Sequence, residues 1–361
     1  MTEYPSALAP RPAEEAARLV ALTQLDAARV ARRRLADPSD TEALHDLRVA
    51  LRRLRTTVRG FRPQLDAAVP RKLRRRLRDL ARATGAARDS EVQLAWLAQA
   101  GDRLPRGART GVPWLVARLT ARREAAYDTL RRAVPEEFDR LDRRLRESLG
   151  RPPRARAGKP GRKTATFGEL AATLVREHAA ALARHLDLIR STGDADDVHA
   201  TRIQSKRLRY LLEPLAAEAA PAADAVAELR RLQDELGELH DLHVLIAELG
   251  DASAEAAAER ARALHNVALG RGPARASPAR RPRAASAGPL RLARIAGEAE
   301  QRLLERVVAE WLTQERGAKL LRAVAVVGDQ LSVLPPEPLP RPAAPVPTPS
   351  LPIRYTRRAR S

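Results

Sequence analysis

The residues of this chain best placed to do chemistry are basic, and they come in register. From His45 to Arg59 the sequence reads HDLRVALRRLRTTVR. Set on a helix at about 100° per residue from His45, Arg48, Arg52, Arg55 and Arg59 fall between about 280° and 340°. Leu47, Leu51, Leu54 and Val58 fall between about 180° and 240°, the face that must be buried. A cationic stripe about 21 Å long therefore runs directly beside the apolar one. Arg53 lies about 80° round, off the stripe. Like charges one turn apart repel by about 0.2–0.5 kcal/mol a pair, and Glu42 and Asp46 stand off this arc. An uncompensated row of guanidinium forks, each able to grip phosphate oxygens in pairs, reads as a site whose counter-anion is a ligand.

The pattern recurs. His199, Arg202, Lys206 and Arg209 repeat the spacing of His45, Arg48, Arg52 and Arg55, with Arg207 in the place of Arg53. Glu213 stands where Arg59 would be, so the second stripe is shorter. A second pair follows: LRDLARATGAARD from Leu77 matches LRRLQDELGELHD from Leu229. It aligns Arg78 with Arg230, Gly85 with Gly237, Asp89 with Asp241, and Arg88 with His240. Around the first of these, Arg71, Arg74, Arg75, Arg78 and Arg82 share one helical face and Leu73, Leu77 and Leu80 another. Two motifs in one order, at offsets of about 154 and 152 residues, describe a duplicated unit. Two copies about a pseudo-twofold axis supply in one chain what a homodimer supplies in two, so a monomer is expected.

Other constellations are weaker. His45-Asp46 and His240-Asp241 suggest metal phosphohydrolase pairs, but neighbours on a helix diverge by about 100°, and His178, His185, His243 and His265 add no matching spacing. No metal is expected. Asp89 and Asp241, with His240, are read as groups that orient arginines of the facing stripe; holding a divalent cation beside the anion is the lesser alternative. GKPGRKT, from Gly158, has the wrong spacing for a phosphate loop and follows no strand. No catalytic triad, carboxylate pair or dinucleotide fingerprint occurs, so neither an enzyme nor a cofactor is expected.

The elements that must position these groups are helices. Apolar residues recur at three- and four-residue spacing, and alternating β-branched runs are nearly absent. Helices are expected at 13–36, 40–66, 70–100 and 113–149, forming repeat 1 over 13–149. A basic Pro/Gly linker follows at 150–165. Repeat 2, over 166–333, has helices at 166–191, 195–219, 221–250 and 252–269, a disordered insertion at 270–288, and a long helix at 289–333. A Pro-rich basic tail occupies 334–361. Lys+Arg total 66 against 45 for Asp+Glu, a net charge of +21, which favours a polyanionic partner. Aromatics are 3%, too few for a base-stacking platform. Cysteine is absent, which excludes disulfides and thiolate metal sites and fits a reducing cytoplasm. Neither a leader in Met1–Pro12 nor an apolar run of about 18 residues is visible, so no membrane association is expected.

HDLRVALRRLR, HATRIQSKRLRYLLE and the paired Gly-x-x-x-Asp segments resemble the CHAD family, the helical domain named for its histidines, over about 13–333. The resemblance implies an all-α fold of two four-helix bundles with pseudo-twofold symmetry around a basic central groove. It implies binding of inorganic polyphosphate there and association with polyphosphate granules. Many members carry a CYTH triphosphatase domain; its Glu-x-Glu-x-Lys signature is absent here, so the chain resembles a stand-alone member. The groove residues so implied are His45, Arg48, Arg52, Arg53, Arg55, Arg59, Arg74, Arg75, Arg78 and Arg82 from repeat 1. His199, Arg202, Lys206, Arg207, Arg209 and Arg230 come from repeat 2. With its stripe uninterrupted, repeat 1 is expected to carry more of the affinity. The alternative is a non-specific nucleic-acid binder using the same basic faces with 270–288 and 335–361 as arms. An enzyme acting on triphosphate or polyphosphate is a third class, for which no acidic cluster is visible.

Overall fold

The computed structural model describes residues 3–37, 39–40, 42–109, 111–151, 165–271 and 281–333. Most of the expected linker, with GKPGRKT, the centre of the expected insertion and the whole expected tail lie outside the described residues. Every regular element among the described residues is helical. The first half holds α1 (Ala13–Arg34), α2 (Ala43–Gly60), the short α3 (Arg62–Leu65), α4 (Arg71–Ala83), α5 (Gly85–Ala100), the short α6 (Arg106–Arg109) and α7 (Val112–Gly150). The second holds α8 (Phe167–Leu186), α9 (Ala195–Leu212), α10 (Ala222–Ala268), α11 (Arg281–Val307) and α12 (Arg316–Val333).

Local chemistry explains several boundaries. α1 opens with Glu14 and Glu15 and closes with Arg32, Arg33 and Arg34, matching the helix dipole at both ends. α8 opens on a capping box, in which the Thr166 hydroxyl accepts from the Glu169 amide and the Glu169 carboxylate accepts from the Thr166 amide. Within α2 the expected apolar face is the buried one: Leu47, Leu51, Leu54 and Val58 are all buried, each side chain worth about 1.5–3 kcal/mol.

Several helices depart from the expected spans, among them the one expected over 40–66, which is divided at Phe61 into α2 and α3. The helix expected over 70–100 breaks at Thr84, whose ψ of 0° leaves the α region and whose hydroxyl donates back to the Ala81 carbonyl at 2.9 Å. The helices expected over 221–250 and 252–269 are one, because Gly250 meets no crowding and Ala252 and Ala256 continue the buried face. The helix expected over 289–333 is two. A π-helical turn, Val308–Thr313, ends in Glu315 with a φ of 57°, and the chain reverses direction. Gly317 allows this reversal: a Cβ there would stand 2.6 Å from the Trp311 carbonyl oxygen. α11 also starts at Arg281, inside the segment expected to be disordered; alanines follow, and Pro282 sits in the first turn, where its missing N–H costs nothing.

In the first half α1 packs on α2 and α7, and α4 packs on α2 and α7, while α5 runs on beside α7. In the second half α8 packs on α9 and α12, and α10 on α9, α11 and α12. The halves meet along α1 and α8, α2 and α9, α5 and α10, and where α11 lies on α6 and α7. Phe61 stacks on Phe167 with centroids 4.6 Å apart, and the Glu218 carboxylate accepts from the Leu8 and Ala9 amides at 2.6 and 2.8 Å. The basic stripes of α2 and α9 are thereby brought face to face.

Candidate polyanion-binding site

Two clefts open between the halves. The first, about 760 Å³, is walled by α2, α5, α9 and α10; the second, about 870 Å³, by α2, α4, α8 and α9. They share Arg52 and Lys206 on their walls, the matched residues of the two stripes, so the clefts meet at that pair.

His45, Arg48, Arg52, Arg202, Lys206, Arg209 and Arg230 line the first cleft, along with Asp89, His240 and Asp241. The Thr84 break bears on this cleft: the Thr84 carbonyl accepts from the Arg48 guanidinium and fixes that side chain beside the cleft. Tyr210, fully buried behind the wall, accepts from Arg52 at 2.8 Å and from Arg209 at 3.2 Å. Arg202 Nε is buried without a hydrogen-bond partner, as are both side-chain amide atoms of Gln233 on the same wall. A buried polar group left without a partner costs about 1–3 kcal/mol, so these atoms of the wall can still gain from a hydrogen bond.

Electrostatics follow from crowding. Burial first, and then Arg52, Arg202 and Arg209, hold the Lys206 ammonium down at about 6 against its ordinary 10.5, with Asp241 opposing. Burial and then Arg202 and His199 push His240 down to about 4. His45 is lowered by burial and by Arg88. Asp241 is raised by burial, although Arg202 and Lys206 pull it down. Asp241 acts on Arg202 and Asp89 on Arg48, and Asp89 acts on Arg202 across the cleft as well. Both work through the field and not through an ion pair.

The second cleft is more one-sided. Arg55, Arg59, Arg74, Arg75 and Arg78 line it from the first half and Arg207 from the second, against the single carboxylate of Glu177 among its described walls. Arg74 is tethered by Asp66 and by the Val69 carbonyl, and Arg78 by Asp79 at 3.2 Å. Burial and the neighbouring Arg59 lower Arg207; burial and Arg82 and Arg78 lower Arg55.

Three expected groove residues lie elsewhere. Arg53 is drawn back into a two-pronged pair with Glu213, at 2.9 and 3.1 Å, with its guanidinium over the Tyr210 ring. Glu213, which in sequence only interrupts the stripe, is the clamp that holds Arg53 and approaches Arg209 at 3.4 Å. His199 is exposed and lies against His240, with centroids 5.4 Å apart and the rings tilted by 42°, outside the cleft wall. Arg82 is exposed and reaches the site only through its repulsion of Arg55. Conversely, Arg88, Gln233 and Trp96 line the first cleft, and Arg62, Arg71 and His178 the second, without having been singled out for it. Two of them carried a signal: Arg88 through its match to His240 in the repeat, and Arg71 through the helical face it shares with Arg74, Arg75 and Arg78.

Among the described residues no group of three or more His, Asp or Glu side chains is placed to hold a metal ion, and no helix is long and apolar enough to cross a membrane.

The family model for the CHAD domain matches residues 19–250. Among solved structures, the chain is similar to the crystal structure of the CHAD domain from the plant Ricinus communis. The TM-score is 0.56 at 20% identity, covering 93% of this chain and 96% of that one. No curated protein matches it.

Proposed function

This chain belongs to the CHAD domain family, and from that premise we propose that it binds inorganic polyphosphate along the cations of the two clefts. The observation that carries this reading is the continuity of charge through Arg52 and Lys206. From there cations extend to Arg209 and Arg230 on one side and to Arg55, Arg75 and Arg78 on the other. A track of this form suits a linear anion with closely spaced charge. Clefts of about 760 and 870 Å³ are in the range of small-molecule pockets, which admits one extended chain and excludes a duplex. Recognition is of backbone phosphate only, since the cations carry no base-reading pattern. The first repeat supplies most cations of the more one-sided cleft, and it is assigned the larger share of the affinity.

Capture is electrostatic, with counterion release and steep salt dependence, and involves no bond cleavage. Association with polyphosphate granules in the cytoplasm, as a monomer, follows from this reading. The test is charge reversal at Arg48, Arg52 and Arg55 together. Binding of long-chain polyphosphate should fall by orders of magnitude while the far-ultraviolet circular dichroism stays that of wild type; retained affinity in a folded variant moves the site elsewhere. Phosphate release on addition of Mg²⁺ or Mn²⁺ would replace binding with catalysis.

A further inference from the structure

We propose that seating of the polyanion is coupled to protonation of Lys206, so that the protein takes up a proton as it binds and holds its ligand less tightly as pH rises. This rests on the polyphosphate reading and adds a regulation to the same site.

The stripe position seven residues after each histidine is Arg52 in the first repeat and Lys206 in the second. Both stand where the two clefts meet. An arginine there keeps its charge at any physiological pH, whereas a desolvated lysine can lose it. The groups that act most on Lys206 are cationic, with carboxylates further along the walls. Its own helix α9 places Arg202 one turn before it and Arg209 three residues after. α2 presents Arg52, and Arg48 and Arg55 on either side of it. α10 presents His240 and Asp241, with Arg230, Asp234 and Glu238 further along the wall. α5 contributes Arg88, Asp89 and Glu91, α4 contributes Arg71, Arg74, Arg75 and Arg78, and α8 contributes Glu177 and His178 across the second cleft. Of these carboxylates, Asp241 acts most on the ammonium, and no described ion pair neutralises it.

With its proton held only to about pH 6, Lys206 is largely neutral in the empty protein at neutral pH. Phosphate charge brought to the meeting point of the clefts reverses the balance and raises its proton affinity. Binding above about pH 6 therefore draws a proton from solution, and affinity falls by about tenfold per pH unit for one linked proton. Below that pH, Lys206 is charged in both states and contributes no slope. His45 and His240, also lowered, act in the same direction. The internal phosphates of a long chain do not titrate in this range, so the proton belongs to the protein.

The test is calorimetric titration of the full chain with long-chain polyphosphate at fixed ionic strength. It is run at pH 5.5 and 8.0, and at pH 7.5 in two buffers of different ionisation enthalpy. The expected result is uptake close to one proton at pH 7.5 and weaker binding at pH 8.0. Lys206→Arg should bind at both pH values with most of the uptake gone. His45→Gln combined with His240→Gln should bind more weakly yet keep most of the uptake. Binding without proton uptake, or undiminished uptake in Lys206→Arg, overturns the linkage and leaves the function standing. Absence of binding at pH 5.5, where every lysine is charged, overturns the polyphosphate reading and the linkage with it.

Discussion

Glu213→Gln separates two accounts of the basic stripe. If Glu213 merely interrupts the second stripe, removing its charge should strengthen polyanion binding and leave stability alone. The structure assigns it a different task. Its two oxygens hold Arg53 at 2.9 and 3.1 Å, with Arg209 at 3.4 Å, and the Arg53 and Glu213 side chains are only 19% and 9% exposed. Removing one member of such a pair leaves a buried, uncompensated cation, a change that costs about 3–5 kcal/mol in comparable sites. The amide of Gln keeps one acceptor and the shape, so about 3 kcal/mol is expected here. Urea denaturation followed by circular dichroism would show this as a lower midpoint at unchanged slope. Arg53 and Arg209, freed from the clamp, also lose their fixed direction, so polyphosphate affinity should drop or hold and should not rise. A variant of wild-type stability that binds more tightly would refute the clamp.

Lys206→Met should bind polyphosphate more weakly yet be the more stable protein. With a folded value of about 6 against the ordinary 10.5, Lys206 takes up a proton on unfolding anywhere between these limits. Its neutral burial therefore costs most at the low-pH end of that window, about 5 kcal/mol at pH 7, and wild-type stability rises with pH across it. Denaturation of both proteins at pH 6.5 and 9 checks this; a stability difference that does not shrink with rising pH counts against it. Arg52→Gln should lower polyphosphate affinity and flatten the slope of log K against log salt by about 0.7, the share of one lost phosphate contact on a single strand. Gly317→Ala should destabilise by about 1–3 kcal/mol, because a Cβ would stand 2.6 Å from the Trp311 carbonyl oxygen and 2.8 Å from Leu186 Cδ2; a neutral effect in thermal melts would mean that the reversal at Glu315 is soft.

What could be read in advance was whatever depends on helical period alone. Leu47, Leu51, Leu54 and Val58 had to be buried together, and the cations beside them had to line whatever opened at that edge. The repeated sequence motif gave Arg52 and Lys206 matching places, and both stand where the clefts meet. Breaks set by tertiary contacts were not legible. Thr84 interrupts a sequence of good helix formers where its carbonyl serves Arg48, and the reversal at Glu315 depends on the close approach of Gly317 to Trp311. Arg53 shows the limit for charges: its angle placed it off the stripe, but only the fold brings Glu213 to it from another helix. Arg88 could have been found, since the repeat aligns it with His240; Gln233 could not, because the repeat sets Ala81 opposite it.

On the proposed function, the cations of α2, α4 and α9 form a track for a single flexible phosphate chain and not a general basic surface. A salt-titrated competition tests it most directly, with labelled long-chain polyphosphate displaced either by unlabelled polyphosphate or by duplex DNA of equal total charge. Efficient displacement by polyphosphate at every salt concentration is expected, with poor displacement by the duplex, whose width does not match clefts of about 760 and 870 Å³. Equal displacement by the two would contradict it.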